Sequence, residues 1–175
     1  MHSCYLEGRS LGRNLGRGLV PYDTAKDKFE QYKVDKDNNS LTALSINSIC
    51  ESDGWLIMAI QNGRIMKYHP CQNILRSLDI ADVSHTFVRN VLMHGDEIWA
   101  GTHEGVYIIN EKKGTVVHLK SNLIEPFSLS DNIIYTMYED DEGGMWMGTM
   151  FGGVNYLPNR GLIFEKYVPL NTGSR

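Results

Sequence analysis

Three recurrences in the 175-residue sequence predict an all-β fold, a run of about three and a half four-stranded antiparallel β-propeller blades forming an incomplete ring. Equivalent positions at Tyr22, Tyr68, Ile109 and Leu157 recur at intervals of 46, 41 and 48 residues, and a period of about 40–50 residues marks propellers and solenoids. Within each copy apolar residues alternate with a period of two, which is the period of a strand. Clusters of Asp, Gly, Asn and Pro punctuate those runs and leave room for four short strands in about 45 residues.

The copies follow in order over a single partial propeller, residues 1–175. Residues 1–39 hold the tail of a repeat, with Leu11 in a tryptophan slot and Asn14 in a threonine slot. Thr24, Asp27, Phe29 and Tyr32 carry a capped-helix signal. The segment LIFEKY at 162–167 fills the same slot without helix propensity, so a strand is expected there. Residues 40–83 contain SLTALSINSICESDGWLIMAIQNGRIMKY, where Ile57 takes the tryptophan slot and Arg64 a glycine slot. Residues 84–127 contain VRNVLMHGDEIWAGTHEGVYIIN, in which Trp99, Gly101 and Thr102 set the pattern.

Residues 128–171 give the fullest copy, SLSDNIIYTMYEDDEGGMWMGTMFGGVNYL, with Trp146, Gly148 and Thr149 in the matching slots. Strict alternation places Ile133, Tyr135 and Met137 on one face of its first strand. The turn Met150-Phe151-Gly152-Gly153 leads to a third strand at Val154-Asn155-Tyr156, and a fourth is expected from Leu162 to Val168.

Composition excludes several classes of function. With 42% hydrophobic and 22% charged residues the chain resembles an ordinary folded domain. A net charge of −4, and an arginine cluster at Arg9, Arg13 and Arg17 with no interleaved aromatics, give no nucleic-acid footprint. The first residues lack the apolar core of a secretory leader, and no run approaches the roughly 18 apolar residues of a spanning helix. The segment is therefore expected not to contact a membrane, and to be cytoplasmic if expressed as it stands. Cys4, Cys50 and Cys71 show no CxxC spacing and suggest neither a disulfide framework nor a zinc knuckle. Cys50 reads as a small buried hydrophobe.

The motifs point to structure before chemistry. Asp141-x-Gly143-x-x-Trp146 resembles the Asp-box hairpin of several propeller families, in which a carboxylate accepts backbone N–H groups across a tight turn and the tryptophan fills space between blades. EDDEGG lacks the alternating oxygen ligands of a calcium loop. Gly101-Thr102 and Gly148-Thr149 follow strands, but neither Gly-Lys-Ser/Thr nor a helical pattern follows them, so packing and turn closure are expected instead of phosphate binding. Gly152 and Gly153 belong to the same turn grammar. His94, His103 and His118 are scattered and read as surface residues, and no nucleophile elbow or carboxylate pair suggests catalysis. No catalytic residue, metal or cofactor is expected. Asn38-Asn39-Ser40 reads as a polar inter-blade linker. Rim candidates for a ligand are Arg89, Asn90, Asn132 and Phe151.

On these residues, SLSDNIIYTMYEDDEGGMWMGTMFGGVNYL followed by Phe164 and Tyr167, the chain resembles the two-component regulator propeller repeat. The resemblance implies a non-catalytic periplasmic sensor region ahead of a membrane span, a histidine kinase and a DNA-binding response regulator. It further implies an oligosaccharide ligand derived from a polysaccharide. The alternatives are a protein-interaction scaffold and, last, a propeller lyase or glycosidase. A blade face of roughly 320 Å2 left open forgoes about 8 kcal/mol at about 25 cal/mol per Å2. The expected partners are therefore a second copy of the chain or the remaining blades of a longer one.

Overall fold

The computed structural model describes residues 9–14, 18–23, 25–29, 45–78, 86–159 and 165–167, all of them in strands, turns or extended segments and none in a helix. Cys4, Arg17, Thr24, Tyr32, Asn38-Asn39-Ser40, Phe164 and most of the expected last strand, 162–164 and 168, lie outside the described residues. The fold is all-β, a series of β-propeller blades. Strands β1 (Arg9–Asn14), β2 (Gly18–Asp23) and β3 (Lys28–Phe29) form a three-stranded sheet. Three four-stranded sheets follow, each in simple sequence order. They comprise β4 (Ile46–Ser52), β5 (Trp55–Ile60), β6 (Ile65–His69) and β7 (Ile74–Leu78); β8 (Val88–His94), β9 (Glu97–Thr102), β10 (Gly105–Asn110) and β11 (Thr115–Leu119); and β12 (Ile134–Glu139), β13 (Met145–Thr149), β14 (Val154–Leu157) and β15 (Glu165–Tyr167). Neighbouring strands run antiparallel, as hairpin-connected neighbours must.

Strand register fixes the repeat frame. Ser10 pairs Tyr22, Leu56 pairs Tyr68, Ile98 pairs Ile109 and Met145 pairs Leu157, so the four equivalent positions occupy one place in each sheet. Tyr68, Ile109 and Leu157 are all buried there. The helix signal near residue 24 loses to a turn. Asp23 Oδ1 accepts the amide N–H groups of Ala25 and Lys26, and the chain re-enters the ladder at β3, where Phe29 pairs Tyr22.

Strict alternation fails in one informative place. The register shifts between Ile134 and Thr136 in β12, and at the equivalent point between Ile46 and Ser48 in β4. The extra residue of a bulge turns the strand, so Ile134 shares the core face with Met137 while Tyr135 is left exposed. Alternation alone groups Ile133, Tyr135 and Met137, and the bulge is what breaks that grouping.

The chain divides into two compact units, Met1–Val91 and Leu92–Arg175, with the boundary inside β8. The first is built around Leu19, Ile46, Leu56, Met58, Ile60, Met66 and Tyr68, so the opening sheet packs on the face of β4–β7 that carries the even-numbered residues of β5. Elsewhere in this unit the Asn47 amide donates to Val88 O (2.7 Å) and Ser48 Oγ accepts from Val91 N (3.2 Å). The second unit repeats the plan. Trp99 and Val106 from one sheet pack on Ile134, Met137, Met145, Met147 and Leu157 of the next and on Leu129 in the segment that leads into it.

Candidate functional site

The Asp-box turn between β12 and β13 is present, but its carboxylate is Asp140 and not Asp141. Glu139 pairs Met145 as the last ladder pair, and Asp140 N–H donates to Gly144 O (2.9 Å), so Asp140 is the first residue whose side chain folds back over the turn. Its Oδ1 accepts the amides of Glu142 (3.1 Å) and Gly144 (2.7 Å), and Oδ2 accepts the Trp146 indole N–H (2.9 Å). Asp141 and Glu142 sit exposed at the tip, while Gly143 is part of the same turn. Trp146 lies against Tyr156, their ring centroids 4.4 Å apart.

The Trp146 indole, then the backbone amides of Gly144 and Glu142 and the Tyr156 hydroxyl, hold Asp140 below the ordinary carboxylate value of 3.8. A depressed carboxylate stabilises the fold above its ordinary range and loses that contribution as pH falls through its folded pKa. Asp140→Asn is therefore expected to lower Tm at neutral pH, with the difference from the parent shrinking once pH drops below 3.8. Thermal unfolding followed across that range checks it, and a pH-independent difference would contradict the assignment.

The glycine–threonine pairs close turns. Thr102 Oγ1 donates to Gly105 O (2.9 Å) and accepts from Glu104 N (2.9 Å). Thr149 Oγ1 donates to Gly153 O (2.9 Å) and accepts from Gly152 N (3.0 Å). Gly101 lies against Ile134 of the next sheet, and Gly148 lies beside Thr136 within its own. Arg64, at the equivalent of Gly153, accepts through its carbonyl from Ile60 N (2.8 Å).

At the end of the last sheet bearing the β13–β14 turn, backbone and side chains form a braced rim. The buried Asn155 accepts from Ser130 N and donates to Ser130 Oγ, each at 2.9 Å. Asp131 accepts from Ile133 N (3.3 Å) and from Phe151 N (3.0 Å), and Met150 N donates to Ile133 O (2.9 Å). This holds the Phe151 side chain out in solvent at 78% exposure. Asn132 is occupied structurally, its side chain accepting from Ser121 N and its carbonyl from Gly105 N, both at 2.7 Å.

Arg89 and Asn90 belong to the first unit. The Arg89 guanidinium sits over Phe87 at 5.2 Å, and the Asn90 amide donates to Ser48 Oγ (3.3 Å) while its Oδ1 is buried without a hydrogen-bond partner. Of the four rim candidates, the structure brings Asn132 and Phe151 onto one unit and leaves Phe151 the most solvent-facing. Sequence reasoning does not single out Ser130, Asp131 and Asn155. Their one trace there is polarity at strand ends, which turns share.

The histidines are less bare than their spacing suggests. His118 stacks on Tyr107 with centroids 3.7 Å apart and its Nε2 lies 2.8 Å from Glu104 O, while His94 packs edge-on against Trp99. Among the described residues no three His, Cys, Asp or Glu side chains gather as metal ligands. Burial pushes the Cys50 thiol up to about 12, which leaves it unreactive. Cys71 is disulfide-bonded, against the expectation drawn from cysteine spacing; an odd count still leaves room for one pair, and spacing along the chain does not say which residues meet in space.

Hairpin-connected four-stranded sheets, stacked face to face and turned by Asp-box and Gly–Thr turns, define a β-propeller repeat protein. Residues 128–151 match the two component regulator propeller family model, so the chain carries that repeat. No curated protein sequence matches the chain. Among solved structures it is similar to the extracellular domain of BT4673 from B. thetaiotaomicron, described as a putative hybrid two component system, at 21% identity and a TM-score of 0.68 over 81% of this chain and 19% of that one. A second such domain, BT3049 of the same organism, gives 18% identity and a TM-score of 0.71 over 96% of this chain and 21% of that one. The computationally designed Ika8 protein gives 10% identity and a TM-score of 0.60 over 87% of this chain and 43% of that one. The chain thus spans about a fifth of the length of the two extracellular domains it resembles.

Proposed function

We propose that the chain is a ligand-sensing, non-catalytic propeller segment of a two-component signalling receptor, working outside the cytoplasm with an oligosaccharide as its ligand. The observation that carries this reading is the family match at 128–151, which takes in Ser130 and Asp131 of the braced rim and ends on Phe151. An exposed aromatic on a rigid turn supplies a flat apolar face for a sugar ring at little cost in side-chain order. The Cys71 disulfide supports an oxidising compartment.

Calorimetry against a panel of polysaccharide-derived oligosaccharides tests it. Phe151→Ala is expected to weaken binding at least tenfold without moving Tm, because a side chain 78% exposed contributes little to the core. Unchanged affinity in that variant, or turnover of the glycan, would count against the reading.

A second reading, a protein-interaction scaffold, is favoured by one observation. The loop before β12 exposes Leu123 (104%), Ile124 (90%) and Phe127 (61%) while being braced by Ser128 Oγ, which accepts from Asn122 N. Glycan binding that survives Leu123→Ser and Ile124→Ser, alongside loss of a co-purifying protein in those variants, would separate the two roles.

A further inference from the structure

On one face of the sheet β4–β7, two cations gather on a single indole. The register pairs Ile57 with Lys67 and Lys67 with Arg76, and alternation brings Trp55 and His69 to the same side. Lys67 Nζ lies 5.3 Å and Arg76 Cζ 5.5 Å from the centroid of the Trp55 ring. His69 packs at right angles to that ring, centroids 5.0 Å apart, and its Nδ1 accepts from Gln72 N (3.3 Å). Arg76 is exposed, and Trp55, Lys67 and His69 are half-buried. The remaining residues of this face are Ser, Cys, Ala, Ile and Leu, so no carboxylate of the four strands shares it. Glu51 pairs Leu56 and so belongs to the opposite face, and Asp53 is exposed in the hairpin turn.

Like charges directly opposite each other in a ladder repel, a cost that the indole's attraction for cations offsets in part. The repeat supplies an internal control on why the pair is there. In the other two four-stranded sheets the positions of Lys67 and Arg76 hold Ile108 and Val117, or Tyr156 and Glu165, and that of Trp55 holds Glu97 or Gly144. Blade packing that needed these cations would repeat them, so the pair in β6 and β7 answers to something outside the repeat.

A planar guanidinium offers two parallel N–H donors to a phosphate or sulfate, and an ammonium beside it adds a compact charge. Lys67 has three donors and Arg76 five, so neither contact with the ring nor one further bond exhausts them. Two adjacent charges match one compact oxyanion, whereas a long polyanion would also meet the chain's net charge of −4. We propose that Lys67 and Arg76 hold a single tetrahedral oxyanion, phosphate or sulfate, beside the Trp55 ring, with His69 bracing the indole. The site does not depend on the sensory role or on the Phe151 rim.

Sodium sulfate and sodium phosphate are the probes, titrated into the full chain at an ionic strength held constant with sodium chloride. The Trp55 indole N–H signal in two-dimensional 15N–1H spectra, identified by its loss in Trp55→Phe, is expected to move saturably with a dissociation constant on the order of millimolar. The Trp99 and Trp146 signals should stay in place. Arg76→Gln and Lys67→Gln should each weaken binding roughly tenfold, the cost of one charge-assisted hydrogen bond. Because Arg76 is exposed, Arg76→Gln is expected to keep the fold, and sulfate should raise Tm by more in the parent than in that variant. A linear response, or one that chloride reproduces, means screening only and overturns the proposal. So does equal sulfate affinity in the parent and in Arg76→Gln, which would leave the two cations a purely structural hold on Trp55.

Discussion

Trp99→Ala is expected to destabilise the protein by about 3–5 kcal/mol, the range for deleting a large aromatic from a core whose walls cannot collapse. Trp99 is 4% exposed and sits with Val106 against Ile134, Met145 and Met147 of a different sheet and Leu129 just before it. Removing it empties the seam between two sheets of the second unit and strips the packing partner of His94. Trp146→Ala is an internal control. It occupies the same slot, but it is partly exposed and has Tyr156 and Asp140 for company, so its loss should cost clearly less. Urea unfolding of the two variants measures the contrast, and equal costs would mean that packing between sheets is not what makes Trp99 important.

Gly105→Ala is expected to cost about 2–6 kcal/mol, backbone strain and a steric clash each contributing about 1–3 kcal/mol, since the substitution deletes no packed atom. Gly105 holds φ at +111°, outside the range of L side chains, and a Cβ there would fall far inside van der Waals range of the Leu119 carbonyl of β11. The backbone cannot give way easily, because Gly105 N–H donates to Asn132 O (2.7 Å) and its carbonyl accepts from Thr102 Oγ1 (2.9 Å). Gly114→Ala, at φ +63° with nothing within 4 Å of the added carbon, separates the two effects by measuring backbone strain without a clash. If both substitutions cost the same in thermal unfolding, the clash with Leu119 is not the source.

How much of the fold and the site can be read from the sequence depends on the range of the interaction. The blade frame is readable because a repeat samples the same packing problem several times: Trp99 and Trp146, or Tyr68, Ile109 and Leu157, answer it with the same kind of residue. The bulge in β12 is not, since one inserted residue leaves composition untouched while moving Ile134 to the other face. Asp140 and Asp141 are chemically identical neighbours, and only the ladder's last pair, Glu139 with Met145, decides which one reaches the amides. Gly105 hides beside the visible motif of Gly101 and Thr102, and its φ depends on the short turn back to Thr102. The packing of Trp99 on Met145 and Leu157 joins residues more than 40 positions apart, a separation at which no local pattern survives.

The two faces of the last sheet differ in kind. One, with Ile134, Met137, Met145, Met147 and Leu157, receives the tryptophan of the preceding sheet; the other presents Tyr138 and Val154, at 61% and 38% exposure, beside Trp146 and Tyr156. Stacking therefore has a polarity, like that of a plug and its socket. Anything that extends the array beyond this sheet, whether a further blade or a second copy, has to approach aliphatic side first. Association by this face is head-to-tail by construction, and a symmetric pairing of two such aromatic faces would give neither of them a socket.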